Sequence, residues 1–188
     1  MKHKNLWLIF PVAVLQYVAI GLLSFIFVSS RNAFYGEIMQ TVFGNNGLMV
    51  LLLLFLYAIL SVIFVIIFSV VAMKGDYDAL FVAKTAMIVK LIQIPAYIGI
   101  FVLGVFLAIS LLTIPFAVAL MILDFLALFL TGLLNTIAVF LAVRQKMTTW
   151  SDSIWVICLQ FVFCADVVSS IVFYVRLKQA HRLTKVPV

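Results

Sequence analysis

The chain has 188 residues, of which 68% are hydrophobic and 10% charged, and carries a net charge of +6. Its mean hydropathy is +1.36. Soluble domains are about 45–50% apolar and about 25% charged, so this composition excludes a soluble enzyme, a disordered chain and a secreted disulfide scaffold. The expected class is all-α: a polytopic membrane helix bundle forming a single transmembrane domain over residues 1–188.

In chain order, the first apolar run covers residues 6–28. A signal-peptide core is roughly 7–15 residues and a bilayer span takes about 20. The run therefore reads as an uncleaved first span, with Pro11 near its start. Residues 34–43 alternate Phe34, Tyr35, Ile38, Met39 and Val42 with polar groups at helical spacing, which predicts a short interfacial helix. Gly44, Asn45, Asn46 and Gly47 form a strong turn signal.

A second span covers residues 48–73. After it, Asp76 and Asp78 stand where a helix could be capped, and Lys84 and Lys90 are expected to snorkel to the surface. Residues 91–143 contain one charge, Asp124. The break is expected between Ser110 and Pro115, because Ser110 or Thr113 can cap and proline suits a first helical turn. That gives a third span at 91–109 and a fourth at 114–143. The fourth would be roughly 45 Å long against a hydrocarbon core of ~30 Å, so it must tilt, kink near Gly132 or run into the interface. Trp150 is an interface anchor, and a fifth span is expected at 154–175. Cys158 and Cys164 lie within it, six residues apart and on different helix faces, which excludes a disulfide between them.

Five spans put the chain ends on opposite sides. The start, the 74–90 segment and the 144–153 loop then hold seven of the twelve Lys and Arg, and Arg31 and the tail hold five. The positive-inside rule places the seven inside, with the N-terminus cytoplasmic. Small size and a short basic start suggest a bacterial cytoplasmic membrane. An even span count would need the 114–143 run to split or to re-enter.

Signatures of soluble enzymes are missing: there is no HExxH, GxGxxG, GxSxG, CxxC or phosphate-binding loop. His3 and His181 sit in terminal basic segments, and no set of donors converges on a metal. The expectation is no enzyme, no metal, no cofactor and no nucleic-acid partner; the basic groups face the lipid bilayer instead. Arg176, Lys178, Arg182 and Lys185 are the candidate headgroup-binding residues.

The polar groups inside the apolar runs are the remaining candidates. On the fourth span Ala117, Leu120, Asp124, Ala127, Thr131, Asn135, Ala138 and Ala142 fall in an arc of roughly 80°. Such a small, polar face packs against other helices. If the 144–153 loop joins antiparallel neighbours, Asp166 lies level with Thr131 and near Asn135, which could hydrogen-bond it. Ser169 and Ser170 follow on its own helix. Asp124 lies about 10 Å farther along, so the two acids do not face each other, and no Lys or Arg is expected to reach either. Weaker seams are Ala13, Tyr17, Gly21 and Ser24 on the first span, with Gln16 beside them, and Gly104 with Ala108 on the third.

Buried carboxylates of this kind serve as interhelical glue or as proton carriers. The first expectation is a non-enzymatic accessory, scaffold or immunity-type membrane component. The alternative is a small proton-linked transporter or channel subunit, with a polar path along Asp124, Thr131, Asn135 and Asp166. Five spans offer few walls, so that alternative needs a homodimer or a partner membrane protein. No residue pattern specifies a small-molecule substrate.

Overall fold

The computed structural model describes residues 6–75, 77–109, 111, 113–162 and 164–183. Among these there are helices and turns but no strand. A single 3-10 turn at Leu6–Ile9 leads into α1 (Phe10–Ser29), followed by α2 (Ala33–Phe43), α3 (Gly47–Lys74), α4 (Ala79–Ala108), α5 (Ile114–Arg144), α6 (Trp150–Leu159) and α7 (Ala165–Leu183). Four helical stretches are long and apolar enough to cross a membrane: Leu6–Ser29, Gly47–Lys74, Ala79–Ala108 and Ile114–Arg144.

Local chemistry sets the helix ends. Asn32 accepts a hydrogen bond from the Phe34 amide at the start of α2. Gly44 then ends that helix with φ +58°, a left-handed conformation that glycine adopts without strain. Two residues later the Asn46 side chain accepts from the Leu48 amide and starts α3. The Gly-Asn-Asn-Gly sequence thus stops one helix and caps the next. Asp78 caps α4 through the Leu80 amide; Asp76 and Ser110 lie outside the described residues. Pro115 stands in the first turn of α5, where its missing N–H costs nothing. Thr113 precedes it but does not cap; its hydroxyl donates to the Leu107 carbonyl. Thr149 caps α6, accepting from the Asp152 amide while its hydroxyl donates to the Asp152 carboxylate.

Two expected elements differ. The third long helix begins at Ala79, not at residue 91, because the Lys84 and Lys90 segment continues the helix that Asp78 caps. The expected fifth span is absent as one helix. It breaks between Leu159 and Ala165, where Cys164 takes φ +67°. The chain then turns back. Arg176 on α7 lies 5.2 Å over the Trp155 ring on α6, and Gln160 meets Ser169. Those pairings make α6 and α7 an antiparallel hairpin. The 114–143 run, by contrast, stays a single helix.

Both arms of the hairpin therefore point to one end of the bundle. Lys74, Lys84, Arg144, Lys146, Arg176, Lys178 and Arg182 gather at that end, whereas Arg31 lies at the other. The end of α7 is on the same side as the 144–153 loop, not opposite to it as five spans would require. Side chains at the end of α5 and at the residue that follows it stitch this end shut. Arg144 donates to the Met73 carbonyl, and Gln145 bridges the Tyr77 carbonyl and the Ala79 amide.

The main core surrounds α5 in the basic half, with Phe68, Leu15, Leu130, Leu134, Leu141 and Leu177 among its buried residues. A smaller cluster of Leu23, Leu54, Ile100, Leu107 and Leu120 fills the opposite half. Gly132 lets the hairpin sit close to α5. A Cβ there would lie 3.4 Å from the Gln160 Cβ, while one at Gly21 would meet nothing within 4 Å. Gly132→Leu should therefore lower stability by about 1–3 kcal/mol through overpacking. Gly21→Leu should melt like the parent. Thermal unfolding of both in lipid nanodiscs checks this contrast, and equal melting points would place the hairpin elsewhere.

Candidate functional site: a buried ion pair and its polar seam

Lys90 and Asp166 form a salt bridge of 2.6 Å between Nζ and Oδ2. Their side chains are 0% and 1% exposed. Lys90 is eleven residues into α4, Asn135 nine from the end of α5 and Gln160 ten past the start of α6. At 1.5 Å per residue all three lie roughly 15 Å from the basic end.

Each helix places its polar group on a buried face. Along α4 the buried stripe is Ala79, Val82, Ala83, Ala86, Lys90, Gln93, Tyr97 and Ile100, at the three- and four-residue spacing of one helix face. α7 packs on α4, and Asp166 meets Lys90 there. Asp166 also occupies the first turn of α7, where the helix dipole favours a carboxylate.

Around the pair, the hairpin and α5 share hydrogen bonds. Asn135 donates to the Gln160 side-chain oxygen at 3.0 Å and to the Ser170 hydroxyl. Gln160 donates to Ser169 at 2.9 Å. Ser169 and Ser170 each donate to the Asp166 carbonyl, at 3.0 and 2.6 Å. Asp166 Oδ1, Asn135 Oδ1 and Gln16 Oε1 are buried acceptors with no hydrogen-bond partner among the described residues.

The expected polar cluster is thus partly assembled. Asn135, Asp166, Ser169 and Ser170 come together, and Thr131 is buried nearby. The expected contacts are corrected in two ways. Lys90 does reach Asp166, because α4 begins earlier and carries Lys90 inward instead of leaving it at the surface. Thr131 and Asn135 do not donate to the Asp166 carboxylate; Thr131 donates to the Ala127 and Leu128 carbonyls of its own helix, and Asn135 to the hairpin. Of the eight-residue face on α5, Leu120, Ala127, Thr131, Asn135, Ala138 and Ala142 are buried, while Ala117 and Asp124 are half-buried.

Asp124 lies apart, twenty residues from the end of α5 and so roughly 30 Å from the basic end. Gln16 donates to its Oδ1 at 2.5 Å. Gln93 and Tyr97 stand on α4 between the two acids. Gln93 donates to the Val12 carbonyl, the Tyr97 hydroxyl donates to Gln93 at 3.5 Å, and Tyr97 lies within electrostatic reach of both acids. On α1 the buried face carries Val12, Leu15, Gln16, Ala19 and Leu23. Of the seam expected on α1, Ala13 is buried and Ser24 half-buried, whereas Tyr17 and Gly21 are exposed. Tyr17 instead donates to the Ile92 carbonyl at 2.5 Å.

Sequence reasoning missed Lys90, Gln93, Tyr97 and Gln160 as members of the seam. A signal for the first three was present: they continue the spacing of Ala79, Ala83 and Ala86. For the headgroup candidates, Arg176 stacks on Trp155, Lys178 lies 5.9 Å from the Tyr174 ring centre, and Arg182 is exposed. Lys185 and His3 lie outside the described residues. No group of His, Cys, Asp or Glu among the described residues could hold a metal ion. No protein-family model, curated protein or solved structure matches the chain.

Removing one partner of a buried pair leaves an uncompensated charge and costs about 3–5 kcal/mol, whereas replacing both with apolar residues is often neutral. Lys90→Met and Asp166→Leu should each destabilise the protein by about that amount, and the double variant should recover most of it. A double-mutant cycle of unfolding free energies checks the coupling; strictly additive costs would mean that the two side chains do not interact.

Proposed function

We propose that this chain is a multi-pass integral membrane protein without enzymatic activity, acting through helix contacts as an accessory, scaffold or immunity-type component. Its four long helices span the bilayer, and the α6–α7 hairpin re-enters from the basic side. By the positive-inside rule that side is cytoplasmic, with the start of the Leu6–Ser29 stretch and the end of α7 on it; the bilayer proposed is a bacterial cytoplasmic membrane. Lys178 and Arg182, both exposed, meet anionic headgroups there.

The observation that carries this reading is the enclosure of the polar centre. Lys90, Asp166, Asn135, Gln160, Ser169 and Ser170 are all buried, and they direct most of their hydrogen bonds to one another or to nearby backbone. A charge at the bilayer centre costs about 2.5–3.5 kcal/mol on insertion scales and is expected to be paired. Here the pair holds a re-entrant hairpin in place, which suits a rigid helical surface offered to another membrane protein.

A second reading has its own support. Discontinuous helices near mid-membrane often form ion or substrate sites, and α6 and α7 break beside the pair. Gln93 and Tyr97 form steps between Asp166 and Asp124. A proton-linked transporter or channel subunit would use that seam, and would need a second copy or a partner chain to enclose a path.

Proteoliposomes with an entrapped pH dye and an imposed potassium diffusion potential separate the two. The accessory reading expects proton flux equal to that of protein-free liposomes. It also expects a photocrosslinker at the exposed Val168 to give discrete protein adducts in the native membrane. Flux above the control that is lost in folded Asp124→Asn or Asp166→Asn protein would overturn it in favour of transport.

A further inference from the structure

An open groove of about 520 Å³ lies between α4 and α5 in the half of the bundle remote from the basic end, away from the Lys90–Asp166 pair. Its walls are almost wholly apolar, with Phe101, Val105, Val118 and Met121 among them. Gly104 opens its floor, because a Cβ there would meet nothing within 4 Å. The polar side chains in the lining are Asp124 and Tyr97. Volumes of about 300–1,000 Å³ with apolar walls and few polar groups are typical of small-molecule sites.

Asp124 gives this groove its chemistry. Gln16 occupies Oδ1 from the α1 side. Asp124 is half-buried and is one of the residues that line the groove, so its carboxyl group borders an apolar space. No Lys or Arg is among the lining residues, and Gln16, which donates to the carboxylate, is neutral. A carboxylate in the lining of an apolar groove that also carries aromatic side chains favours a positive charge carried on an apolar body.

We propose that the α4–α5 groove binds a lipophilic organic cation, with Asp124 as the counter-ion and Tyr97 and Phe101 as aromatic walls. The site is separate from the ion pair that holds the hairpin, and it does not depend on whether the protein transports protons.

The test is saturation binding of radiolabelled tetraphenylphosphonium to the full chain in lipid nanodiscs, with empty nanodiscs as background and tetraphenylborate as a competitor of the same shape and opposite charge. The proposal expects saturable binding that unlabelled tetraphenylphosphonium displaces and tetraphenylborate does not. Two variants should each weaken it at least tenfold: Asp124→Asn, which removes the charge and keeps the Gln16 acceptor, and Gly104→Leu, which fills the groove without touching the carboxylate. Melting curves establish that each is folded. If Asp124→Asn does not fold, Gly104→Leu carries the test. Absence of saturable binding, unchanged binding in a folded variant, or equal displacement by the borate would overturn the proposal.

Discussion

The Lys90–Asp166 pair is the constraint on which the rest of the arrangement depends. An apolar run long enough to cross the bundle once instead breaks halfway and returns. Asp166 begins the returning helix, and its partner projects from α4 at the same depth. A carboxylate there without Lys90 would be a buried charge with no counter-ion beside it. Paired, it fixes where α7 starts, how deep the hairpin reaches and which face of α4 it covers. Gln160, Ser169, Ser170 and Asn135 then tie the turn region to α5, so the break in the helix is held from two sides.

The fold also divides the polar residues into two environments. Around Lys90 the groups are enclosed and bonded to one another across α4, α5 and the hairpin. At Asp124 the carboxylate has one donor among the described residues, the neutral Gln16, and borders a groove. One region reads as a structural lock and the other as an open recess. Gln93 and Tyr97 lie between them on α4, so the lock and the recess share a helix face while lying roughly 15 Å apart along α5.

Much of this fold was legible in the sequence, for specific reasons. Gly44 and Asn46 announce a stop and a start because only certain residues suit a left-handed cap or an N-cap. Pro115 marks the start of α5. The small and polar stripe on α5 identifies the face that packs inward. What escaped was the hairpin. The residues from Ile154 to Val175 read as a span because the break between Leu159 and Ala165 contains no proline or glycine to signal it. Lys90 was misplaced for a related reason. A charge at the edge of an apolar run reads as a surface group unless the helix is known to start eleven residues earlier. Only the pairing in space makes Asp166 and Lys90 intelligible together, and neither residue announces its partner along the chain.

The side of the membrane on which the tail lies tests the central claim most directly. In a background lacking Cys158 and Cys164, single cysteines would replace Gln179 near the end of α7 and Asn45 in the α2–α3 turn. Intact cells would then be treated with a membrane-impermeant thiol reagent. A returning hairpin requires opposite outcomes: Asn45→Cys labelled without lysis and Gln179→Cys labelled only after it. Labelling of both positions on intact cells would put the tail across the membrane. That result would contradict the hairpin, and with it the role of the Lys90–Asp166 pair in holding α7 against α4.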